Sequence, residues 1–373
     1  MIKRKGTIIT ANAFSPTFGY KPKYIVGRDK EISEFMESIA DAPGHPNRAT
    51  LFIGQRGMGK TVLLLELAER CKEAGFVVVR VVAGETMLDE IIEGVQIAGE
   101  RLAGGRKSPI KSVSAGAFGF SAGLTFTEEI RRNFGFSTKL SLLCEELTRR
   151  KRGVLFLIDE IRASTAEMRV FATTYQHLVG DGMNVAVAMA GLPNAISSVL
   201  NDKILTFLNR AHKADLNPLQ VADVSVCYAK ALNDLEIEFD SKTLDAAAFA
   251  TDGYPYLLQL VGYHMLRFLD GESKLTETTV ELAVANSKRA LASDVILPCL
   301  NPLSAEDRRF LNSMAIDDEE SRVSDIRDRL QASKSHAQTY RRRLMEAGLI
   351  HSSSRGMLAF SIPYLGKYLR GEI

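Results

Sequence analysis

Eight consecutive residues have the types and the spacing needed to hold a polyphosphate. Segment 54–61 reads Gly-Gln-Arg-Gly-Met-Gly-Lys-Thr, so two glycines five positions apart are followed directly by lysine and threonine. Glycine lets backbone amides approach a phosphate, the lysine is expected to reach the β and γ phosphates, and the threonine hydroxyl is expected to bind Mg²⁺. The alternative is a glycine-rich turn with a lysine there by chance. The predicted nucleotide-binding residues are Gly54, Gln55, Arg56, Gly57, Met58, Gly59, Lys60 and Thr61.

An acidic pair supplies the second group of chemically useful side chains. Asp159 and Glu160 follow the apolar run Val154–Ile158, which has the length of a buried strand. At the carboxyl end of a sheet strand, Asp159 is expected to hold Mg²⁺ through water. Glu160 is expected to orient and deprotonate an attacking water. The alternative is a pair of solvated acids that end a strand.

The elements around these two groups alternate between strand and helix patterns. This alternation predicts an α/β fold with a parallel sheet covered on both faces. Together with the phosphate-loop pattern, it predicts a P-loop NTPase core over residues 1–215. Residues 110–126 alternate small and apolar side chains, which predicts an inserted hairpin. Its phenylalanines are expected to pack on the core, and the alternatives are stacking on DNA bases or contact with a neighbouring subunit. The predicted elements are Leu51–Gly54, Thr61–Lys72, Phe76–Ala83, Met87–Leu102, Lys139–Arg150, Val154–Ile158 and Val185–Ala190.

After about residue 216 the strand patterns stop and helical periods follow. An all-helical module is predicted over 216–299, with helices at Val221–Leu232, Leu244–Ala250, Tyr256–Leu269 and Thr278–Leu291. Residues 300–373 then predict three helices and a two-stranded hairpin, which is the winged-helix arrangement. These elements are Ala305–Ala315, Val323–Leu330, Ser335–Ala347, Leu349–Ser352 and Met357–Ser361.

Charge is balanced over the chain but not within its last segment. Lys and Arg total 47 against 45 Asp and Glu, so any basic surface must be local. The third helix and the wing of the 300–373 module are rich in arginine and lysine, which is the pattern of a double-stranded DNA interface. The alternative is a winged helix that contacts proteins or packs on the helical module. The predicted DNA-binding residues are Ser335, Gln338, Thr339, Arg342, Arg343 and Arg355.

The length of the chain and the positions of its cysteines limit the class of protein. A chain of 373 residues is long for one hydrophobic core, so two or three domains are expected. The four cysteines lie far apart, which argues against a zinc site or disulfides and for a reducing compartment. Neither a secretion signal nor a membrane span is seen, so a cytoplasmic protein without a membrane partner is expected.

The chain resembles the AAA+ and STAND-type ATPases, particularly the origin-recognition branch. The resemblance is carried by the features above together with the segment Ile25-Val26-Gly27-Arg28-Asp29 and Glu31. The resemblance implies ATP or ADP and Mg²⁺ as cofactors, a helical lid, ATPase activity and self-association in the ATP state. It also implies that Ile25, Val26 and Gly27 line an adenine pocket, although a structural Val-Gly turn is the alternative. Arg210 would serve as a catalytic arginine finger toward a neighbouring subunit; an ordinary exposed arginine at a helix end is equally compatible.

The predicted lid departs from the origin-recognition pattern in one motif, and two functions therefore stay open. Gly253-Tyr254-Pro255 looks like the glycine-x-proline motif of STAND-type enzymes, and Pro255 is therefore a predicted nucleotide contact. The next basic residue of that predicted helix is Arg267, too far along for the sensing arginine of an origin-recognition lid. The first hypothesis is a DNA-binding ATPase that assembles with ATP. The alternative is a nucleotide-gated signalling switch whose winged helix contacts a protein partner.

Overall fold

The computed structural model describes residues 13–17, 19–103, 120–122 and 124–373. Their contacts divide the chain into two compact units. The core unit comprises Asp29–Gly54 and Leu63–Leu216. The lid unit comprises the described residues up to Arg28, the segment Gln55–Val62 and Asn217–Ile373. These divisions differ from the three predicted domains, whose bounds stay a prediction.

The core unit is built on a five-stranded parallel sheet in the order β2-β5-β6-β1-β7. The strands β5 and β6 are buried almost throughout, as a sheet covered on both faces requires, so the predicted α/β architecture is confirmed. Its strands and helices are α1 (Asp29–Ala40), β1 (Ala49–Ile53), α2 (Lys60–Glu73), β2 (Val77–Val82), α3 (Met87–Ala103), β3 (Phe120–Ala122), β4 (Thr125–Phe126), α4 (Glu128–Asn133), α5 (Phe136–Arg149), β5 (Val154–Ile161), α6 (Ala166–Gly180), β6 (Val185–Gly191), α7 (Pro193–Leu200) and β7 (His212–Asp215).

Strand register brings two carboxyl ends to the same edge of the sheet. Met189 of β6 pairs with Leu51 of β1 on one side and with Ile158 of β5 on the other. Gly191 likewise pairs with Ile53 and with Ile161. The residues that follow Ile158 are therefore level with the end of β1, two strand spacings or about 10 Å away.

Some elements of the core unit were missed or only partly predicted. The short edge strand β7 has no apolar run, since its sequence is His-Lys-Ala-Asp. Of the predicted insertion near 110–126, the structure describes the antiparallel pair β3 and β4. Leu124 and Phe126 pack in the core of the unit, and core packing is the expected position for the phenylalanines. The remaining residues of the insertion lie outside the described part of the chain.

The lid unit contains the predicted helical module and, unexpectedly, residues from the start of the chain. Its helices are α8 (Val221–Asn233), α9 (Ser241–Phe249), α10 (Pro255–Phe268) and α11 (Glu277–Leu291), followed by a π turn at Ala292–Ile296 and α12 (Leu297–Leu300). Phe14 is buried among them, its ring 5.5 Å from that of Tyr228 and packed on the backbone of Gly262. The first described residues are therefore part of the hydrophobic core of the lid.

The last elements of the chain belong to the same lid unit. They are α13 (Ala305–Met314), β8 (Glu320–Arg322), α14 (Val323–Leu330), α15 (Lys334–Glu346), β9 (Ile350–Ser354), β10 (Met357–Phe360) and α16 (Leu365–Leu369). The predicted hairpin is formed by β9 and β10, and β8 adds a third antiparallel strand in the order β8-β10-β9. The Tyr364 hydroxyl donates to the Ala250 carbonyl at 2.7 Å, which joins the end of the chain to α9.

Among the helices that the structure describes, none is both long enough and apolar enough to cross a membrane.

Candidate nucleotide site and basic helix face

The phosphate-loop sequence lies between a strand and a helix, as predicted. β1 ends at Ile53 and α2 begins at Lys60. Gly57 has a φ of +81°, a left-handed conformation that residues with a side chain rarely adopt. The Lys60 ammonium donates to the Gln55 carbonyl at 2.8 Å and thus closes the loop on itself. A cation and helix-terminal amides in one turn form a suitable cradle for a polyphosphate.

Arg28 connects the predicted adenine segment and the phosphate loop to the segment that enters the lid helices. It is 7% exposed, and its guanidinium donates to the carbonyls of Gly27 at 3.1 Å, Met58 at 3.3 Å and Asn217 at 2.7 Å. Gly27 belongs to the predicted adenine segment, Met58 to the phosphate loop, and Asn217 to the start of the lid helices. Sequence reasoning identified Arg28 as part of a motif but missed this role, because the carbonyls it reaches carry no sequence signal.

The predicted adenine segment packs against the hydrophobic core of the lid unit. Ile25, Val26 and Gly27 are half-buried. Val26 packs against the hydrophobic core of the lid, and a Cβ placed on Gly27 would lie 3.2 Å from Leu219. The structure thus joins the predicted adenine segment to the unit that also contains the phosphate loop.

The predicted nucleotide contact Pro255 starts helix α10 beside the phosphate loop. A Cβ placed on Gly59 would lie 3.9 Å from the Pro255 ring, which is ordinary van der Waals contact. The preceding Tyr254 is buried and packs directly on Gly57. Arg56 of the phosphate loop makes a further contact within the lid unit, because its guanidinium donates to the Cys299 sulfur of α12 at 3.2 Å. The Gly253-Tyr254-Pro255 motif is visible in the sequence, but the contact made by its tyrosine is not.

The acidic pair lies at the sheet edge that the register defines. Asp159 is 7% exposed, and its carboxylate accepts the backbone N–H of Glu160 at 2.8 Å. Glu160 has a φ of +53° where the β5–β6 pairing shifts register. Such a backbone conformation costs about 1 kcal/mol for a residue with a side chain and is often kept at functional sites. The Glu160 carboxylate is exposed and pairs with Arg162 at 2.9 Å.

Arg210 ends a short 3₁₀ turn, Thr206–Arg210, directly before β7. Its side chain is exposed on the core unit. An exposed position suits a finger toward another subunit and also suits an ordinary surface arginine, so its predicted role stays a prediction.

Most predicted DNA contacts share an exposed surface of α15, and one has a structural partner. Ser335, Gln338, Thr339 and Arg342 are exposed on α15, and Arg355 is exposed at the β9–β10 turn. Arg343, in contrast, donates to Asp307 at 2.9 Å, and that carboxylate is 1% exposed. Asp307 also completes the capping box at the start of α13. The structure therefore gives Arg343 a packing role, and its DNA role stays a prediction.

The sheet order, the strand–loop–helix passage at Gly54–Thr61 and the helices that follow the sheet define a P-loop NTPase fold. Solved structures share this fold along almost the whole chain. The ORC2 protein of Aeropyrum pernix, solved as ADPNP-ADP complexes, has a TM-score of 0.62 at 16% identity, covering 95% of this chain and 94% of that one. The Walker-type ATPase PABY2304 of Pyrococcus abyssi has a TM-score of 0.67 at 16% identity, with coverages of 93% and 96%.

Cdc6p of Pyrobaculum aerophilum is also similar, with a TM-score of 0.51 at 15% identity and coverages of 96% and 97%. The predicted resemblance to origin-recognition ATPases is thus confirmed at the level of the fold. A family model described as a domain of unknown function, DUF8462, matches residues 295–369. No curated protein matches the sequence.

Proposed function

We propose that this protein binds ATP with Mg²⁺ and hydrolyses it, and that its nucleotide state controls binding of double-stranded DNA. The observation that carries the nucleotide part is the Arg28 guanidinium. It joins the predicted adenine segment, the phosphate loop and the entry to the lid helices through three carbonyl contacts. A buried cation that fixes these three segments together supports one composite binding site.

The residues present suit a nucleotide with a hard divalent cation. Thr61 and Asp159 offer a hydroxyl and a carboxylate, the oxygen ligands that Mg²⁺ prefers. When bound, Mg²⁺ would neutralise charge on the phosphates. Lys60 would release the Gln55 carbonyl and bind the β and γ phosphates instead. Glu160 would orient the attacking water and accept its proton.

The DNA part of the proposal is supported by the chemistry exposed on α15. Gln338, Thr339 and Arg342 offer hydrogen-bond donors and acceptors of the kind that read base edges, and Arg355 at the turn suits a phosphate. We interpret residues 300–373 as a winged helix that uses this surface. Assembly of several copies with ATP, with Arg210 acting between them, would raise duplex affinity through multiple contacts.

Two variants test the ATPase proposal. Lys60→Ala removes the cation from the loop, so nucleotide affinity is expected to fall at least tenfold in a fluorescent-nucleotide titration. Glu160→Gln keeps the shape of the side chain but not the base, so it is expected to bind ATP normally and to hydrolyse it at least tenfold more slowly. Tight ATP binding by Lys60→Ala, or normal turnover by Glu160→Gln, would contradict the assigned roles.

A triple variant tests the DNA proposal. Gln338, Thr339 and Arg342 are changed together to alanine, while Arg343 is kept because it holds Asp307. Duplex affinity is measured at several salt concentrations with ADP and with a slowly hydrolysed ATP analogue. We expect the variant to lose at least tenfold in affinity and to retain its ATPase rate. Arg309→Ala, an exposed arginine of α13 paired with Glu306, is the matched control.

A nucleotide-gated switch with a protein partner is the second candidate function. The Gly253-Tyr254-Pro255 turn at the start of α10 favours it, as does the contact between Tyr364 and Ala250 that joins the C-terminal elements to the lid helices. Salt-sensitive duplex binding that depends on α15 would exclude this candidate as the main function. Failure of the wild-type protein to bind duplex in either nucleotide state would favour it.

A further inference from the structure

Tyr254 packs on the phosphate loop more closely than any side chain at position 57 would permit. It is 1% exposed, and a Cβ placed on Gly57 would lie 2.0 Å from its hydroxyl oxygen and 2.2 Å from Cζ. Distances of this kind show that the ring rests against the bare backbone of the loop. Burial raises the pKa of Tyr254, so the group in contact with the loop is a neutral phenol.

The ring is held in place by its own turn. Tyr254 is the N-cap of α10, and Pro255 occupies the first helical position. The preceding Gly253 accepts the N–H of Leu219 at 2.7 Å, and a Cβ on Gly253 would lie 2.3 Å from the Leu219 carbonyl oxygen. The tyrosine is therefore fixed both to α10 and to the segment that enters the lid helices.

We propose that Tyr254 is a positioning residue that holds the phosphate loop in its nucleotide-binding shape and thereby ties nucleotide affinity to the start of lid helix α10. This inference rests on the proposed nucleotide binding. The ring contacts loop backbone, and the first two turns of α10, Pro255-Tyr-Leu-Leu-Gln-Leu-Val-Gly262, carry no charged side chain. The contact between Tyr254 and the loop therefore depends on the shape of the loop and not on the charge of the bound phosphates. Loss of Tyr254 is expected to weaken ATP and ADP binding by the same factor.

Substitutions at position 254 test the proposal in the full chain. Titration with fluorescent ADP and with a fluorescent, slowly hydrolysed ATP analogue gives both dissociation constants. We expect Tyr254→Ala to weaken both about tenfold or more with their ratio unchanged, and Tyr254→Phe, which keeps the ring, to remain within about twofold of wild type. Tyr256→Ala is the matched control, because this half-buried tyrosine of α10 contacts Asp294 instead of the loop.

A second set of variants distinguishes loss of the contact between Tyr254 and Gly57 from loss of folding. Gly57→Ala should abolish tight binding when Tyr254 is present, and the same substitution should cost a smaller factor in the Tyr254→Ala background because the clash is gone. Thermal melts identify variants that do not fold, and Tyr254→Leu replaces Tyr254→Ala if the alanine variant unfolds.

Two results would overturn the inference while leaving the proposed function intact: wild-type affinity in a folded variant that lacks the ring, or an equal cost of Gly57→Ala in both backgrounds. A change in the ratio of the two dissociation constants would contradict a contact made only with the loop. Absence of nucleotide binding by the wild-type protein would instead refute the proposed function.

Discussion

Replacement of Arg28 by lysine gives the sharpest test of how the candidate nucleotide site is assembled. The guanidinium donates to three carbonyls at once, and a lysine ammonium keeps the charge but not the planar fork that reaches them. The contacts with Met58 and Asn217 connect segments far apart in sequence. A hydrogen bond from a charged group contributes about 1.5–3 kcal/mol, so loss of one contact weakens the arrangement by about 1.5–3 kcal/mol and loss of both by about 3–6 kcal/mol.

Only part of that free energy is expected to be lost from nucleotide binding, since the lid unit is also destabilised without ligand. Because about 1.4 kcal/mol corresponds to a factor of ten, the dissociation constants for ATP and ADP should rise at least tenfold in Arg28→Lys. Fluorescent-nucleotide titration measures this rise at a temperature where a thermal melt shows that the variant is folded.

Arg48 provides the matched control for this substitution. It is 3% exposed in the core unit and donates to the carbonyls of Ser38, Ile39 and Asp41, at distances between 2.7 and 3.1 Å. Arg48→Lys should lower the melting temperature without changing nucleotide affinity, because none of these carbonyls belongs to a predicted nucleotide-binding segment. If Arg28→Lys binds nucleotide like the wild type, or if the two variants lose affinity equally, the assigned role of Arg28 is wrong.

Two further predictions concern the C-terminal elements. Arg343→Ala removes the cation beside the buried Asp307. Because the guanidinium is half-exposed, the free energy of unfolding should fall by only about 1–2 kcal/mol, whereas Arg342→Ala should have little effect. Equal shifts of the melting temperature in the two variants would refute this difference. Burial lowers the pKa of His351, so the unfolded chain takes up its proton first as the pH falls below about 6.5, and stability falls toward pH 5. His351→Gln should flatten that decline in melts recorded from pH 7.5 to 5, and an unchanged slope would contradict the assignment.

Local sequence patterns predict the parts of the molecule that depend on neighbours along the chain. The spacing of Gly54, Gly59 and Lys60 predicts a strand–loop–helix passage because backbone shape and ligand chemistry constrain the same few residues. The apolar run before Asp159 predicts a buried strand, and parallel register then fixes which sheet edge its end occupies. The helical periods after residue 216 and the order of the last helices likewise follow from local patterns.

Tertiary structure alone decided which distant groups meet. Two of the three carbonyls bound by Arg28 lie 30 and 189 residues away along the chain, and any residue can supply a carbonyl. Arg343 has the pattern of an exposed basic residue, yet packing places it against Asp307 of another helix. Tyr254 meets Gly57 because two turns from separate elements are pressed together. Periodicity tells which face of an element is buried, but only the packing of whole elements selects the partner on the other side.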